Sequence, residues 1–229
     1  MNHEFRRART EEQRAERRTA ILAAARGLLY DVRVADLTLT ELAKRSGLAK
    51  SNVLRYFESR EAVLLEVYHL DFVDWLDELE RTLPATAADA ESVAAVLAES
   101  AVRRSRMCEL AANSPSVLER NLSGDVAAAY KLSFVANAHR FGRIVGERLG
   151  GYSDTASMAL AAMVILGVGG IWAGTQPSPG MAAAYAAHPE LAVMSHDTER
   201  SLREYIATVL TGLAHREPQS VLKQKETGA

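Results

Sequence analysis

Apolar residues recur at three- and four-residue intervals along most of the chain, the spacing that places them on one face of an α-helix. The first such segment runs from about Thr10 to Tyr30. Its apolar stripe consists of Ile21, Leu22, Ala25, Leu28 and Leu29. No segment alternates apolar and polar residues over the length of a convincing strand. The pattern therefore predicts an all-α protein.

Three further helices are predicted to begin within some twenty residues. Thr38-Leu39-Thr40-Glu41 has the form of a capping box, in which the threonine oxygen accepts the amide of the glutamate and the glutamate reaches back. The short helix that starts there ends near Arg45. After Gly47, a second short helix covers Lys50 to Tyr56, and Ser59 caps a long helix that reaches about Arg81.

From Pro84 onward the chain consists of Ala-rich amphipathic segments separated by proline and glycine. They predict helices at about 89–106, 116–121, 125–149, 154–175, 180–187 and 197–215. No Asp, Glu, Lys or Arg occurs between Asp154 and Glu190. We interpret the apolar run within it as a buried helix rather than a membrane span, because it is marginal in length, interrupted by glycine and without a flanking basic cluster.

The segment from Thr38 to Phe57 meets the local demands of a helix-turn-helix. Such a motif needs a small residue where two helices touch, a turn residue that tolerates positive φ, and apolar side chains facing inward. Ala43 and Gly47 satisfy the first two demands. The inward-facing set is Leu42, Leu48, Val53 and either Tyr56 or Phe57.

The second helix of this motif then turns a polar, basic face outward. Asn pairs well with adenine and Arg or Lys with guanine, so such a face suits base recognition in the major groove. Thr38 and Thr40, at a helix N-terminus, are placed for phosphate contacts, and for Ser59 capping and phosphate contact remain equal alternatives. The predicted DNA-binding residues are Thr38, Thr40, Lys44, Lys50, Ser51, Asn52, Arg55, Tyr56 and Arg60.

The distribution of charge supports that prediction although the net charge is −2. Residues 1–60 carry thirteen Lys/Arg and eight Asp/Glu, whereas the remainder carries fourteen and twenty-one. A phosphate backbone attracts the first segment and is repelled by the rest.

The Arg-rich residues 1–9 are predicted to be a flexible basic arm, followed by a helix-turn-helix domain at 10–58, a helical ligand-binding and dimerisation domain at 59–217 and a polar tail at 218–229.

The run TLTELAKRSGLAKSNVLRYFESREAVLL, which begins at Thr38, resembles the DNA-binding signature of TetR-family (tetracycline-repressor-like) regulators. The resemblance is specific over about Ile21 to Tyr68. It implies a homodimer with N-terminal three-helix heads and a C-terminal core that binds a small molecule. It also places Arg60 as the basic residue at the start of the fourth helix.

Two positions depart from the family pattern. Ser51-Asn52 stands where many members have Gly-Thr, and Leu54 stands where many have a phosphate-binding Tyr. The backbone contact made through that Tyr is not expected here, and Leu54 is interpreted as facing inward instead.

The C-terminal half offers candidates for an apolar ligand pocket and for a dimer interface. Small-molecule sites are usually lined by apolar side chains with a few polar groups that orient the ligand. Aromatic and sulphur-containing side chains together with one side-chain amide match that description. The candidate pocket comprises Cys108, Tyr130, Phe134, Asn137, Met163, Leu166 and Trp172. The candidate dimer interface comprises Leu160, Val164, Gly167, Ile171, Leu202, Tyr205, Ile206, Val209 and Leu213.

Other chemistries lack support in the sequence. The histidines show no spacing typical of a metal site. The single cysteine excludes an internal disulfide and fits a reducing cytoplasm. The sequence contains no convincing set of catalytic residues around a nucleophile and no phosphate-binding loop. We predict no enzyme activity, no cofactor and no membrane association. The expected function is a repressor released from a near-palindromic operator by a small, largely apolar effector; the alternatives are a DNA-binding dimer without an effector and a helical enzyme.

Overall fold

The computed structural model describes residues 2–194 and 196–216, and this part of the chain is all-helical, as predicted. It contains α1 (Asn2–Leu28), α2 (Leu39–Arg45), α3 (Lys50–Val53), α4 (Arg60–Thr82), α5 (Ala90–Val102), α6 (Ser105–Asn113), α7 (Gly124–Leu149), α8 (Asp154–Thr175), α9 (Pro179–Ala187) and α10 (Thr198–Arg216). Short 3-10 turns occupy Leu83–Ala85 and Pro189–Met194, and a π-helical turn occupies Ser114–Leu118.

Some predicted boundaries were wrong. Helix α1 begins at Asn2 rather than near Thr10, because Arg, Ala and Glu are good helix formers and neither glycine nor proline occurs before Gly27. The assignment of residues 1–9 as a basic arm stays a prediction. The side chains of Arg6, Arg7 and Arg9 lie outside the described part, as does the predicted tail at 218–229. The predicted helix at 89–106 is two helices, α5 and α6, and residues 116–118 belong to the π-helical turn.

The chain folds as two compact units, and the predicted division after residue 58 stays a prediction. The first unit comprises residues up to 70 together with 113–131, and the second comprises 71–112 together with residues from 132 onward. Helices α4 and α7 each begin in the first unit and end in the second.

The core of the first unit is built from the apolar stripe of α1 and the inward faces of α2, α3 and α4. Ile21, Ala25, Leu42, Val53 and Val63 are each completely buried. Each large aliphatic side chain removed from water in this way contributes about 1.5–3 kcal/mol. This shared core holds the two short helices in place, since a helix of four to seven residues is not stable by itself.

The second unit is centred on Trp75 of α4. The Trp75 indole Nε1 donates a hydrogen bond to Ser100 Oγ at 2.9 Å, and its ring stacks on Phe141 with centroids 5.6 Å apart. The donor of this buried indole is therefore satisfied. Elsewhere in the same unit, α10 packs against both α5 and α8.

Gly142 permits a close approach of α7 to α8. A Cβ at this position would lie 2.2 Å from Ser157 Cβ and 2.8 Å from Ser157 Cα. We expect Gly142→Ala to lower the free energy of unfolding by about 1–3 kcal/mol, because the two helices must separate to admit the methyl group. Gly212→Ala in α10 is the matched control, since no described atom outside the adjoining backbone of its own helix lies within 4 Å of its Cβ position and alanine favours a helix. Urea unfolding measures both variants, and equal midpoints would contradict the packing described.

Candidate nucleic-acid interface

The N-terminus of α2 carries the predicted capping box. The Glu41 amide donates to Thr38 Oγ1 at 3.2 Å, and the Thr38 amide donates to Glu41 Oε2 at 3.0 Å. Hydrogen bonds from the Thr38 hydroxyl and backbone lower the pKa of Glu41. Thr38 and Thr40 are both solvent-exposed. The N-terminus of α2 is therefore fixed by its capping box and accessible to a ligand.

The turn between α2 and α3 has the geometry predicted from Gly47. Gly47 has a φ of +67° and its amide donates to the Lys44 carbonyl at 3.2 Å. The Leu48 amide donates to the Ala43 carbonyl at 2.9 Å, which completes a Schellman motif. Ala43 itself is buried at this crossing. The prediction of a left-handed residue at position 47 is therefore confirmed.

Helix α3 is a single turn that presents a polar face to solvent. Val53 and Phe57 point into the core, whereas all three polar residues at its start, Lys50, Ser51 and Asn52, are exposed. Arg55 follows in the turns after α3 and is also exposed, so the predicted helix to Tyr56 ends early at Val53. Lys44 on α2 is exposed as well, and Tyr56 is half-buried.

Leu54 does not face inward, contrary to the prediction. It is 43% exposed, because Val53 and Phe57, four residues apart, already supply the inward stripe and the next residue is rotated about 100° away from it.

Arg60 and Ser59 mainly hold the local structure together. The Arg60 guanidinium Nη1 donates to the Leu37 carbonyl at 2.9 Å and to the Ala35 carbonyl at 3.4 Å, and Nη2 pairs with Glu61 at 2.9 Å. Ser59 Oγ accepts the Ala62 amide at 3.1 Å, so of the two alternatives the structure shows the cap. The phosphate contact predicted for Arg60 stays a prediction. In this structure the Arg60 side chain is bonded to backbone carbonyls of the segment before α2.

Arg18 is a positioning residue that the sequence reading missed. Its guanidinium lies 4.2 Å from the centre of the Phe57 ring, donates to the Tyr56 carbonyl at 3.0 Å and pairs with Glu66 of α4. It thereby ties α1 and α4 to the turn that follows α3. The signal was available, because Arg18 continues the buried stripe of α1 at the helical spacing of Ile21, Leu22 and Ala25.

The residues of the predicted ligand pocket do not all share one unit. Tyr130 belongs to the first unit, where its hydroxyl lies 3.1 Å from Ser114 Oγ and burial raises its pKa to about 12; the other six belong to the second unit. Leu166 is 62% exposed, which contradicts its assignment to an interior pocket. The remaining four candidates besides Cys108, namely Phe134, Asn137, Met163 and Trp172, are half-buried.

Cys108 is an interior residue. It is completely buried, its thiol donates to the Ala101 carbonyl at 3.2 Å, and burial raises its pKa to about 12. A thiol with this pKa stays protonated near neutral pH, which makes it a poor nucleophile.

Most residues of the predicted dimer interface pack inside one chain, so that prediction was wrong in detail. The buried members are Leu160, Val164, Leu202, Ile206 and Leu213. They are covered because α8 and α10 pack on each other and α10 also packs on α5. The ring of Tyr205 packs against Gly167, and the Tyr205 hydroxyl donates a hydrogen bond to the Met163 carbonyl at 3.0 Å. Ile171, Tyr205 and Val209 are half-buried.

Helix α8 is the one helix in the described ranges that is long and apolar enough to cross a membrane, by length and composition alone. Of its apolar window, 39% is buried within the chain. Among the described residues, no group of three or more His, Cys, Asp or Glu side chains is placed to hold a metal ion.

The geometry defines an all-helical protein with an exposed helix-turn-helix, and comparisons with known proteins place it in a family. The family model for the Tetracyclin repressor-like C-terminal domain matches residues 70–217, and that for bacterial regulatory proteins of the tetR family matches residues 21–67. The chain belongs to the TetR family of transcriptional regulators, as the sequence predicted.

Individual relatives agree with this assignment. The HTH-type transcriptional regulator EthR of Mycobacterium tuberculosis is 40% identical over 77 residues, which is 33% of this chain and 35% of EthR, and EthR of Mycobacterium bovis matches equally. The match thus spans about a third of these relatives.

Two solved structures share the fold at 20% identity. A TetR transcriptional regulator from Rhodococcus sp. RHA1 has a TM-score of 0.51, with 88% of this chain and 99% of that chain covered. Thermus thermophilus FadR, a TetR-family repressor in complex with lauroyl-CoA, has a TM-score of 0.55, with 88% and 97% covered.

Proposed function

We propose that this regulator is a cytoplasmic repressor that binds a near-palindromic operator as a homodimer and is released by a small, largely apolar effector. The observation that carries the DNA-binding proposal is the exposed polar face of α3 on a rigidly capped helix-turn-helix. Lys50, Ser51 and Asn52 are directed to solvent while Val53 anchors the turn in the core. In this proposal the three polar residues contact base edges in the major groove.

The proposed phosphate contacts come from the start of α2. The exposed Thr38 and Thr40 carry hydroxyl groups at a helix N-terminus, where the helix dipole favours an anion. Such contacts orient the protein on the duplex without reading its sequence. They leave base recognition to α3.

The proposed dimer uses the outer face of α8. Leu166, Gly170 and Ala173 lie at helical spacing and are all exposed within one chain, with Leu166 62% exposed. This exposed apolar stripe supports α8 as the subunit contact in place of the buried residues first predicted. Small residues on the stripe permit close approach of a second helix.

The effector proposal rests on the second unit and on a relative of the same fold. Thermus thermophilus FadR is described with lauroyl-CoA, a ligand with a long apolar chain. Phe134, Met163 and Trp172 in this chain are half-buried on α7 and α8, and such side chains suit the lining of an apolar ligand site. An acyl thioester is therefore the first class of effector to try.

Selection of duplexes from a random DNA library by the full-length protein tests the proposed function. We expect enrichment of an inverted repeat whose half-sites are separated by about one helical turn or a multiple of it. Acyl-CoA thioesters of different chain length are then added to the complex, with thermal unfolding and DNA release as readouts. Absence of any enriched sequence would contradict the DNA-binding proposal. Enrichment without a response to ligands would favour a regulator that works without an effector.

A further inference from the structure

Beside the turn that follows α3, the first unit contains a recess of about 790 Å³ rich in arginine. One wall is the exposed face of α1 and the other is formed by Arg55 and Tyr56. The recess is lined by Gln13, Arg14, Glu16, Arg17, Ala20, Arg55 and Tyr56. Three arginines and one glutamate thus line a single opening.

Within the described part of the chain, none of these three arginines is held in an ion pair. Arg14, Arg17 and Arg55 are exposed, and no carboxylate of the described part of the chain forms an ion pair with any of them. The adjacent Arg18, by contrast, is bound to Glu66 and the Tyr56 carbonyl. Unpaired guanidinium groups around one opening are a ready site for an anion, and they match phosphate geometry well.

Two positions close to α3 have little to offer a phosphate in this structure. Leu54 is exposed and has no group to offer a phosphate, and the Arg60 guanidinium is bonded to the carbonyls of the linker before α2. Phosphate contacts supply much of the affinity of a protein for DNA. The recess offers further phosphate-binding groups on the same unit.

We propose that the recess formed by Arg14, Arg17 and Arg55 binds a backbone phosphate of the DNA beside the groove entered by α3. The inference rests on the proposed DNA-binding function and assigns Arg55 to the phosphate backbone rather than to base readout. The major groove is about 12 Å wide and a helix with its side chains is about 10–12 Å across. A basic recess next to the end of a helix in that groove therefore faces one of its phosphate walls.

The test compares Arg14→Ala/Arg17→Ala with a matched control. Arg33→Ala/Arg120→Ala removes the same charge from exposed positions of the same unit outside the recess. We expect the recess variant of the full-length protein to bind the selected operator about tenfold more weakly at 0.15 M salt and the control to lose less than threefold. The slope of log K against log salt should fall by about 1.8, because the dimer loses two phosphate contacts, one in each half-site, and the preferred sequence should stay the same.

A second measurement uses the DNA itself. Uncharged methylphosphonate linkages are placed one at a time along the operator, and binding of the parent and of the recess variant is compared. We expect one linkage per half-site to weaken the parent but not the variant. Arg55→Ala should weaken all sequences equally.

The outcomes separate the two proposals. If the parent binds no DNA, the proposed function and this inference both fail. If the parent binds but the recess variant matches the control in affinity and salt slope, only this inference is overturned. A changed base preference in Arg55→Ala also overturns it. Circular dichroism confirms that the variants remain helical, as expected for exposed Arg→Ala changes in α1.

Discussion

Replacing Asn52 by alanine is expected to lower the affinity for the selected operator by roughly 10- to 100-fold and to relax the preference for one base pair. A side-chain amide that bonds two atoms of an adenine contributes about 1–3 kcal/mol of discrimination. Asn52 is exposed on the one-turn helix α3, so its removal leaves the core beneath unchanged. Fluorescence anisotropy with the operator and with each single-base variant measures affinity and preference together.

The control for this prediction is Asn121→Ala. Asn121 is an exposed asparagine of the same unit that lies outside α2 and α3. We expect its affinity to stay within about twofold of the parent. The base-reading role of Asn52 would be refuted if both variants bound the operator and its single-base variants like the parent.

The largest effect on stability is expected from the ion pair between α4 and α6. Arg106 Nε donates to Asp71 Oδ2 at 2.6 Å and Arg106 Nη2 donates to Asp71 Oδ1 at 2.8 Å. The side chains of Asp71 and Arg106 are only 4% and 12% exposed. Arg106→Leu removes the guanidinium that pairs with this buried carboxylate, and we expect the free energy of unfolding to fall by about 3–5 kcal/mol.

Two further variants isolate the cause of that loss. In Asp71→Leu/Arg106→Leu both charges of the pair are removed, so most of the stability should return. The exposed pair Arg200 and Glu204, at 2.9 Å with side chains 80% and 66% exposed, is the reference, and Arg200→Leu should cost less than about 1 kcal/mol. Urea unfolding of all variants provides the measurement. Equal losses in Arg106→Leu and Arg200→Leu would mean that burial does not strengthen the pair.

The local geometry of the helix-turn-helix could be predicted because it depends on residues close together in sequence. The Thr38 capping box and the positive φ of Gly47 are properties of four to six consecutive residues. Their hydrogen-bonding needs are met locally, so the pattern alone was sufficient. The same holds for the exposed positions of Ser51 and Asn52, which helical spacing turns away from the buried Val53. Lys50 is exposed although it lies three residues before Val53, at a spacing that alone would place it near the buried side.

The roles of the arginines could not be predicted from local pattern. Arg18, Arg60 and Arg55 look alike in sequence, yet one bridges to Glu66, one bonds the linker carbonyls and one lines an open recess. Each role depends on residues 23 to 48 positions away or on a different helix. A long, flexible side chain reaches partners that helical periodicity does not specify.

By itself the sequence determined the all-helical fold, the position of the helix-turn-helix and the family, because capping residues, glycine and apolar spacing act over short distances. Only the tertiary structure decided which faces of α8 and α10 are interior. Helix α8 is apolar on all sides, so its composition did not distinguish the buried Leu160 and Val164 from the exposed Leu166. That choice is made by packing against α10, whose residues lie some forty positions further along the chain.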